Sequence, residues 1–171
     1  MAASGHFLFE LVKIAILSAC YAFMIMLVFR VVFKLVYLKF HKVFHIIYTG
    51  LFVFMFTYYG DHGLGDESRL PIGHWEVVQA GDGYPYFQPA GNYRQINLGS
   101  FVTHKETLCA QTEEGGYIAY DLITDKLSTF PDQSSYNAFA AINNLPLPQY
   151  FDTFSSQYDA YWSGWRFWTL P

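Results

Sequence analysis

The chain has 171 residues, enough for about one domain, but its charge is divided: residues 1–59 carry five Lys or Arg against one Glu, and residues 60–171 carry five against thirteen Asp or Glu. A basic apolar part joined to an acidic polar part implies two environments within one chain. The acidic part excludes nucleic-acid binding, which needs clustered Lys and Arg to neutralise phosphates, and with Cys20 in the apolar part and Cys109 in the polar part it has no internal disulfide.

Phe7 to Phe29 is a run of 23 residues in which only Glu10 and Lys13 are charged. As a helix it is about 34 Å long, enough to cross a bilayer core. Glu10 and Lys13 are three apart, so they share a helix face and can pair near the membrane end. No polar mature N-terminus follows the run, so it reads as a span and not as a cleaved leader. Val43 to Tyr59 is a second apolar run of 17 residues, ending in two tyrosines suited to the headgroup layer. So many apolar residues on every face need lipid or a very large core.

Between the runs lies "FRVVFKLVYLKFHKVFH", basic throughout and without Gly or Pro. In a continuous helix Arg30, Lys34, His41 and His45 fall within an arc of ~60° at about 100° per residue. They form a basic stripe suited to a membrane surface or to the snorkelling ends of two helices. The expected turn is Lys39 to Lys42. The connector, residues 30–42, holds four of the five Lys and Arg of the N-terminal part. The positive-inside rule places it on the cytoplasmic side, which puts both termini and the acidic domain outside.

Residues 60–73 read as a polar, Gly-rich linker. From His74 onward short strand-like runs alternate with turn residues: "HWEVVQ", "YRQINL", "SFVTH", "ETLCAQ", "GYIAYDL" and "KLSTF". Glu113 to Gly116 is the turn of a hairpin in which Ile118, Tyr120 and Leu122 line one face. This pattern predicts an antiparallel meander of five or six strands. The hairpin unit does not recur, which excludes a propeller.

After Pro131 the period becomes helical. Ser134 or Ser135 can cap a helix bearing Tyr136, Phe139, Ala140 and Ile142. A second helix is expected from about Gln149 to Trp162, with Phe151, Phe154, Tyr158, Tyr161 and Trp165 on one stripe. Such stripes usually complete a core. The terminal "YWSGWRFWTLP" holds five aromatics in eleven residues. Consecutive positions point in different directions, so they cannot all be buried in one small domain.

The sequence therefore predicts an α+β membrane protein. A transmembrane helical hairpin occupies residues 1–59, with spans at about 7–29 and 43–59. An extracytoplasmic domain at 74–171 is an antiparallel β-meander with two C-terminal helices. The expected location is a cell membrane with the polarity of the bacterial inner membrane.

The candidate chemistry is sparse. Asp61, His62, Asp66 and Glu67, with His74 and His104 farther off, match no calcium loop or zinc signature, and no cofactor or metal is implied. Ser100, His104 and Asp121 form a trio of the kind any small domain supplies by chance, with no nucleophile-elbow context. The stronger signal is the surplus of aromatics at Trp162, Trp165, Arg166, Phe167 and Trp168, which suits a partner's surface or the headgroup layer. The expectation is a non-enzymatic accessory or structural subunit of a larger envelope membrane complex. It is held in lipid and docks through its helices and aromatic C-terminus. The alternative is a ligand- or glycan-binding or sensing module, including a toxin-immunity type, with a pocket lined by Trp75, Tyr84, Tyr86 or Trp165. Its small-molecule ligand is unassigned.

Overall fold

A computed structural model describes residues 2–32, 39–58, 60, 67–81, 84–91 and 94–171. In chain order these form α1 (Ala2–Val32), α2 (Phe40–Met55), seven strands and three further helices. The strands are β1 (Glu67–Gly73), β2 (Glu76–Gly81), β3 (Tyr84–Phe87), β4 (Ile96–His104), β5 (Thr107–Thr112), β6 (Tyr117–Asp121) and β7 (Lys126–Phe130). The later helices are α3 (Gln133–Asn143), α4 (Phe154–Trp162) and α5 (Trp165–Thr169), with a short 3₁₀ turn at Pro148–Tyr150 before α4. The chain divides into two units. One comprises Met1–Gly65 and Gly164–Pro171, the other Asp66–Ser163.

In the first unit, α1 is the one helix among the described residues long and apolar enough to cross a membrane, over Phe7–Val32. It packs against α2. Its buried positions are Glu10, Ile14, Ser18 and Ala22, four apart and therefore on one face. The Ser18 hydroxyl donates back to the Ile14 carbonyl at 2.6 Å, so its polar atom is satisfied inside the helix.

The second apolar helix differs from expectation at both ends. It begins at Phe40 and stops at Met55, and its 16 residues are about 24 Å long, short of a bilayer core. Thr57 ends it: its hydroxyl donates to the Phe54 carbonyl at 2.7 Å, and its N–H bonds the same oxygen. Gly60 then folds back so closely that a Cβ there would lie 2.5 Å from the Phe54 oxygen, which only glycine permits. Tyr59 and residues 33–38, part of the basic connector, lie outside the described residues.

The second unit is built on one antiparallel sheet of seven strands in sequential order. "YRQINL" and "SFVTH" merge into the single strand β4, with a register shift at Leu98–Ser100. Two strands lie outside the expected strand-like runs, and both contain proline. β1 occupies the second half of the expected linker, so the sheet begins at Glu67 and not at His74. Pro71 is tolerated because β1 is an edge strand with an irregularity between Pro71 and Gly73. Pro85 of β3 pairs with Ala80 of β2, whereas β4 pairs only with Tyr86 and Phe87. Pro85 therefore sits where no ladder bond to β4 is needed.

The register sorts the core onto two faces. Phe101, Ala110 and Ile118 are cross-strand neighbours, and with Leu70, Val78, Phe87, Leu98, Leu108, Tyr120 and Leu122 they form one buried cluster. The next row, Val102, Cys109 and Ala119, points to the other face. There Cys109, Tyr117, Ala119, Tyr136 and Ala140 form a second cluster under α3. Burying one side chain such as Phe101 or Leu108 contributes about 1.5–3 kcal/mol.

The α3 cap is Asp132, one residue before the helix and not a serine. Its carboxylate accepts the Ser135 N–H at 2.8 Å, which satisfies a donor that the helix leaves open. Asn144, in the left-handed conformation, closes the other end. The expected long aromatic helix is divided. Asp152 pairs with Phe101 on the edge of β4 beyond the reach of β3, and Thr153 then caps α4. Phe151 consequently packs on the Cys109 face, whereas Phe154 and Tyr161 pack on the Phe101 face. Gly164, with φ +64, ends the run, and Trp165 starts a separate helix in the other unit.

Candidate functional site

The C-terminal aromatic segment is held by the chain's own first helix. Lys13 and Glu10 approach to 3.4 Å on α1, as their spacing predicts. The Phe167 ring covers the Lys13 ammonium at 5.1 Å from ring centre to nitrogen, a cation–π contact. Two turns farther along α1, the Tyr21 hydroxyl donates to the Thr169 carbonyl at 2.8 Å. Pro171 is buried. Within α5 the Arg166 guanidinium lies 5.0 Å from the Trp165 ring centre. Trp165 and Trp168, three apart and so on one face, are 62 % and 73 % exposed.

Trp162 does not belong to this group. It is the last residue of α4, in the sheet unit, half-buried beside Tyr158 and Tyr161. Its indole N–H is buried without a hydrogen-bond partner among the described residues.

The basic stripe is not built as one helical face. Arg30 is in the last turn of α1, His41 and His45 are on α2, and Lys34 lies outside the described residues. Lys39 has extended backbone at the N-cap of α2, so no continuous helix carries Arg30 round to His45. The expected turn at Lys39–Lys42 is instead the start of α2. Arg30, His41 and His45 are all exposed.

In the sheet unit, Ser100 and His104 are four residues apart on β4, about 13 Å, and cannot share a proton. Asp121 aligns with His104 through Thr107, one row of the sheet, whereas Ser100 aligns with Gln111 on another. The catalytic trio is therefore not assembled. Cys109 is fully enclosed, and burial pushes its thiol pKa up, tempered by the Tyr136 hydroxyl beside it. A buried, protonated thiol is no nucleophile. Asp61, His62 and Asp66 lie outside the described residues. Among the described residues no three His, Cys, Asp or Glu gather as a metal site.

One arrangement had no sequence signal. His74 and Trp75 form the two-residue turn between β1 and β2, both in the left-handed region at φ 49 and 66. Such turns favour Asn-Gly, so "GHWE" gave no hint of one. His74 Nε2 meets Glu106 Oε2 at 2.6 Å, and the Glu106 carbonyl accepts the Leu122 N–H at 2.8 Å. Three hairpin turns are thus joined at one corner of the sheet. Beside it the buried Tyr120 hydroxyl lies 3.0 Å from Asp125 and 3.3 Å from Glu76, and accepts the Ala90 N–H at 3.2 Å. Burial raises the pKa of Tyr120 and of Glu76.

Among the described residues, the clefts on this unit include the following pair. One of about 350 Å³ is lined by Glu76, Val77, Gln79 and Gln88 to Gly91. A larger one of about 680 Å³ runs between the start of β4 and β7, past Arg94, Asn97, Glu113, Ile118 and Leu127. Neither is lined by Trp75, Tyr84 or Tyr86, and neither contains a histidine. Of the residues expected to line an aromatic pocket, Trp75 and Tyr84 are exposed, Tyr86 is bonded to Gln79, and Trp165 is in the other unit.

Comparison with known protein families, with curated proteins and with solved structures gave no match.

Proposed function

We propose that the protein is a membrane-anchored, non-enzymatic accessory subunit of a larger envelope membrane complex. Its partner would be engaged mainly through the apolar faces of α1 and α2. The observation that carries this reading is the surface of α1. Leu8, Phe9, Val12, Ile16, Phe23, Met24, Leu27, Val28, Val31 and Val32 are all exposed, and they cover the helix away from its one buried face. Such a surface is stable only in lipid or against another apolar helix. In this reading α2, whose length of about 24 Å leaves the turn at residues 56–58 to complete the crossing, returns beside α1, and the basic residues between them stay on the cytoplasmic side. The sheet unit is then extracytoplasmic.

The aromatic segment is assigned here to the anchor more than to the partner, because Phe167 and the Thr169 carbonyl are already engaged by α1. The test is the composition and mass of the particle after gentle detergent extraction from its native membrane. A stoichiometric, much larger companion supports the proposal. A lone monomer or small homo-oligomer counts against it.

The 680 Å³ cleft favours a ligand-binding module as the second reading, since its volume suits a small molecule and its lining mixes polar with apolar groups. Saturable thermal protection of the full chain by a soluble ligand, abolished by filling the cleft with Thr129→Trp, would move the weight to it.

A further inference from the structure

We infer that α5 is seated in the lipid layer against α1, with the exposed indoles of Trp165 and Trp168 in contact with phospholipid. This rests on the reading of α1 as a membrane helix.

The first support is length. The 31 residues of α1 make a helix of about 46 Å, whereas a bilayer core takes about 30 Å, or roughly 20 residues. Counting about 20 residues back from Val32 ends near Lys13. The Glu10–Lys13 pair then falls at the headgroup border, where an ion pair is tolerated. Tyr21 lies about 12 Å deeper, most of one leaflet. Phe167 is fixed at the first level by Lys13, and the Thr169 carbonyl is fixed by the Tyr21 hydroxyl, which reaches up from the second.

The second support is composition. From Trp165 to Pro171 the only charged side chain is Arg166, and its guanidinium lies over the Trp165 ring. Indole and guanidinium are groups the membrane interface selects.

The third support is the backbone. The last carbonyls of a helix are normally left to water, and lipid cannot satisfy them. In α5 the Trp165 carbonyl accepts the Thr169 hydroxyl at 2.7 Å, the Arg166 carbonyl accepts the Leu170 N–H at 2.9 Å, and the Thr169 carbonyl accepts Tyr21. Pro171 has no N–H to satisfy. Phospholipid is the occupant that accounts for the exposed indoles and for the partners of these three carbonyls together. The segment thus covers the Lys13 ammonium and fixes the depth of the anchor.

The test uses the full chain in phosphatidylcholine–phosphatidylglycerol vesicles. A Trp75→Phe, Trp162→Phe variant leaves Trp165 and Trp168 as the only tryptophans, excited selectively over the tyrosines. A control carries Phe23→Trp on α1 with all four native tryptophans replaced by Phe. The expected result is quenching of the Trp165 and Trp168 emission by chain-brominated lipid, severalfold stronger than by aqueous iodide. Strong iodide quenching of these two, with Phe23→Trp quenched by bromolipid, overturns the seating of α5 but leaves the membrane reading standing. Resistance to both quenchers means that protein covers the indoles, and also overturns it. If Phe23→Trp itself escapes bromolipid, the membrane reading falls and the inference with it.

Discussion

Tyr21 donates its phenolic hydrogen to the carbonyl oxygen of Thr169 at 2.8 Å, across 148 positions of sequence. The bond joins the middle of the apolar N-terminal helix to the last turn of the chain. With the Phe167 ring over Lys13 it ties the C-terminal segment to α1.

Removing that hydroxyl should loosen the segment without disturbing α1. A neutral hydrogen bond contributes about 1 kcal/mol, a factor of about five in the open population. Tyr21→Phe should therefore speed amide exchange of Leu170 about fivefold while exchange in the sheet unit stays unchanged. Equal exchange in both proteins would show that the bond does not hold the tail.

Alkali should weaken the sheet unit through Cys109. Burial raises the pKa of this thiol in the folded state, whereas an unfolded cysteine ionises near about 8.5. The folded state keeps a proton that the unfolded chain releases. The resulting stability is complete below about pH 8.5 and is lost as pH rises through the raised folded value. The denaturant midpoint of the sheet transition should be flat just below that pH and fall above it, by at most about 1.4 kcal/mol per pH unit for one thiol. Cys109→Ala should delay the fall until the phenols of Tyr120 and Tyr136, also raised mainly by burial, come into play above about pH 10. An unchanged profile in Cys109→Ala would assign the fall to another group.

The His74–Trp75 turn carries strain that a different residue should relieve. A left-handed conformation costs a bulky L-residue about 1–2 kcal/mol, and Trp75 is 75 % exposed. Trp75→Asn should raise the unfolding midpoint of the sheet unit, by about 1 kcal/mol, because Asn adopts this conformation readily. A lower midpoint would mean that contacts of the indole ring outweigh the strain.

The proposed topology is open to direct labelling. Cys109 is enclosed, so a native-state thiol reagent cannot report on that site. Ser134 is exposed near the start of α3. In a Cys20→Ala background, Ser134→Cys should react with a membrane-impermeant maleimide added to intact cells. Protection until the membrane is permeabilised would place the sheet unit on the cytoplasmic side.

The composition of residues 7–29 determined α1: an apolar run that long has few other stable states, and the structure extends it as a helix from Ala2 to Val32. Alternation and turn residues determined β2 and the strands from β4 to β7, because hydrophobic period is a local property of the chain. Tertiary context decided what period cannot carry. β1 and β3 contain prolines, and they are strands only because neighbouring strands leave those positions without a required hydrogen bond. The aromatic series from Phe151 to Trp165 has helical spacing throughout. Yet pairing of Asp152 with Phe101 and the left-handed Gly164 divide it among two faces of the sheet and a second unit. The corner where His74 meets Glu106 and the bond from Tyr21 to Thr169 join residues far apart in sequence. Local periodicity holds no record of such contacts, so only the folded chain could reveal them.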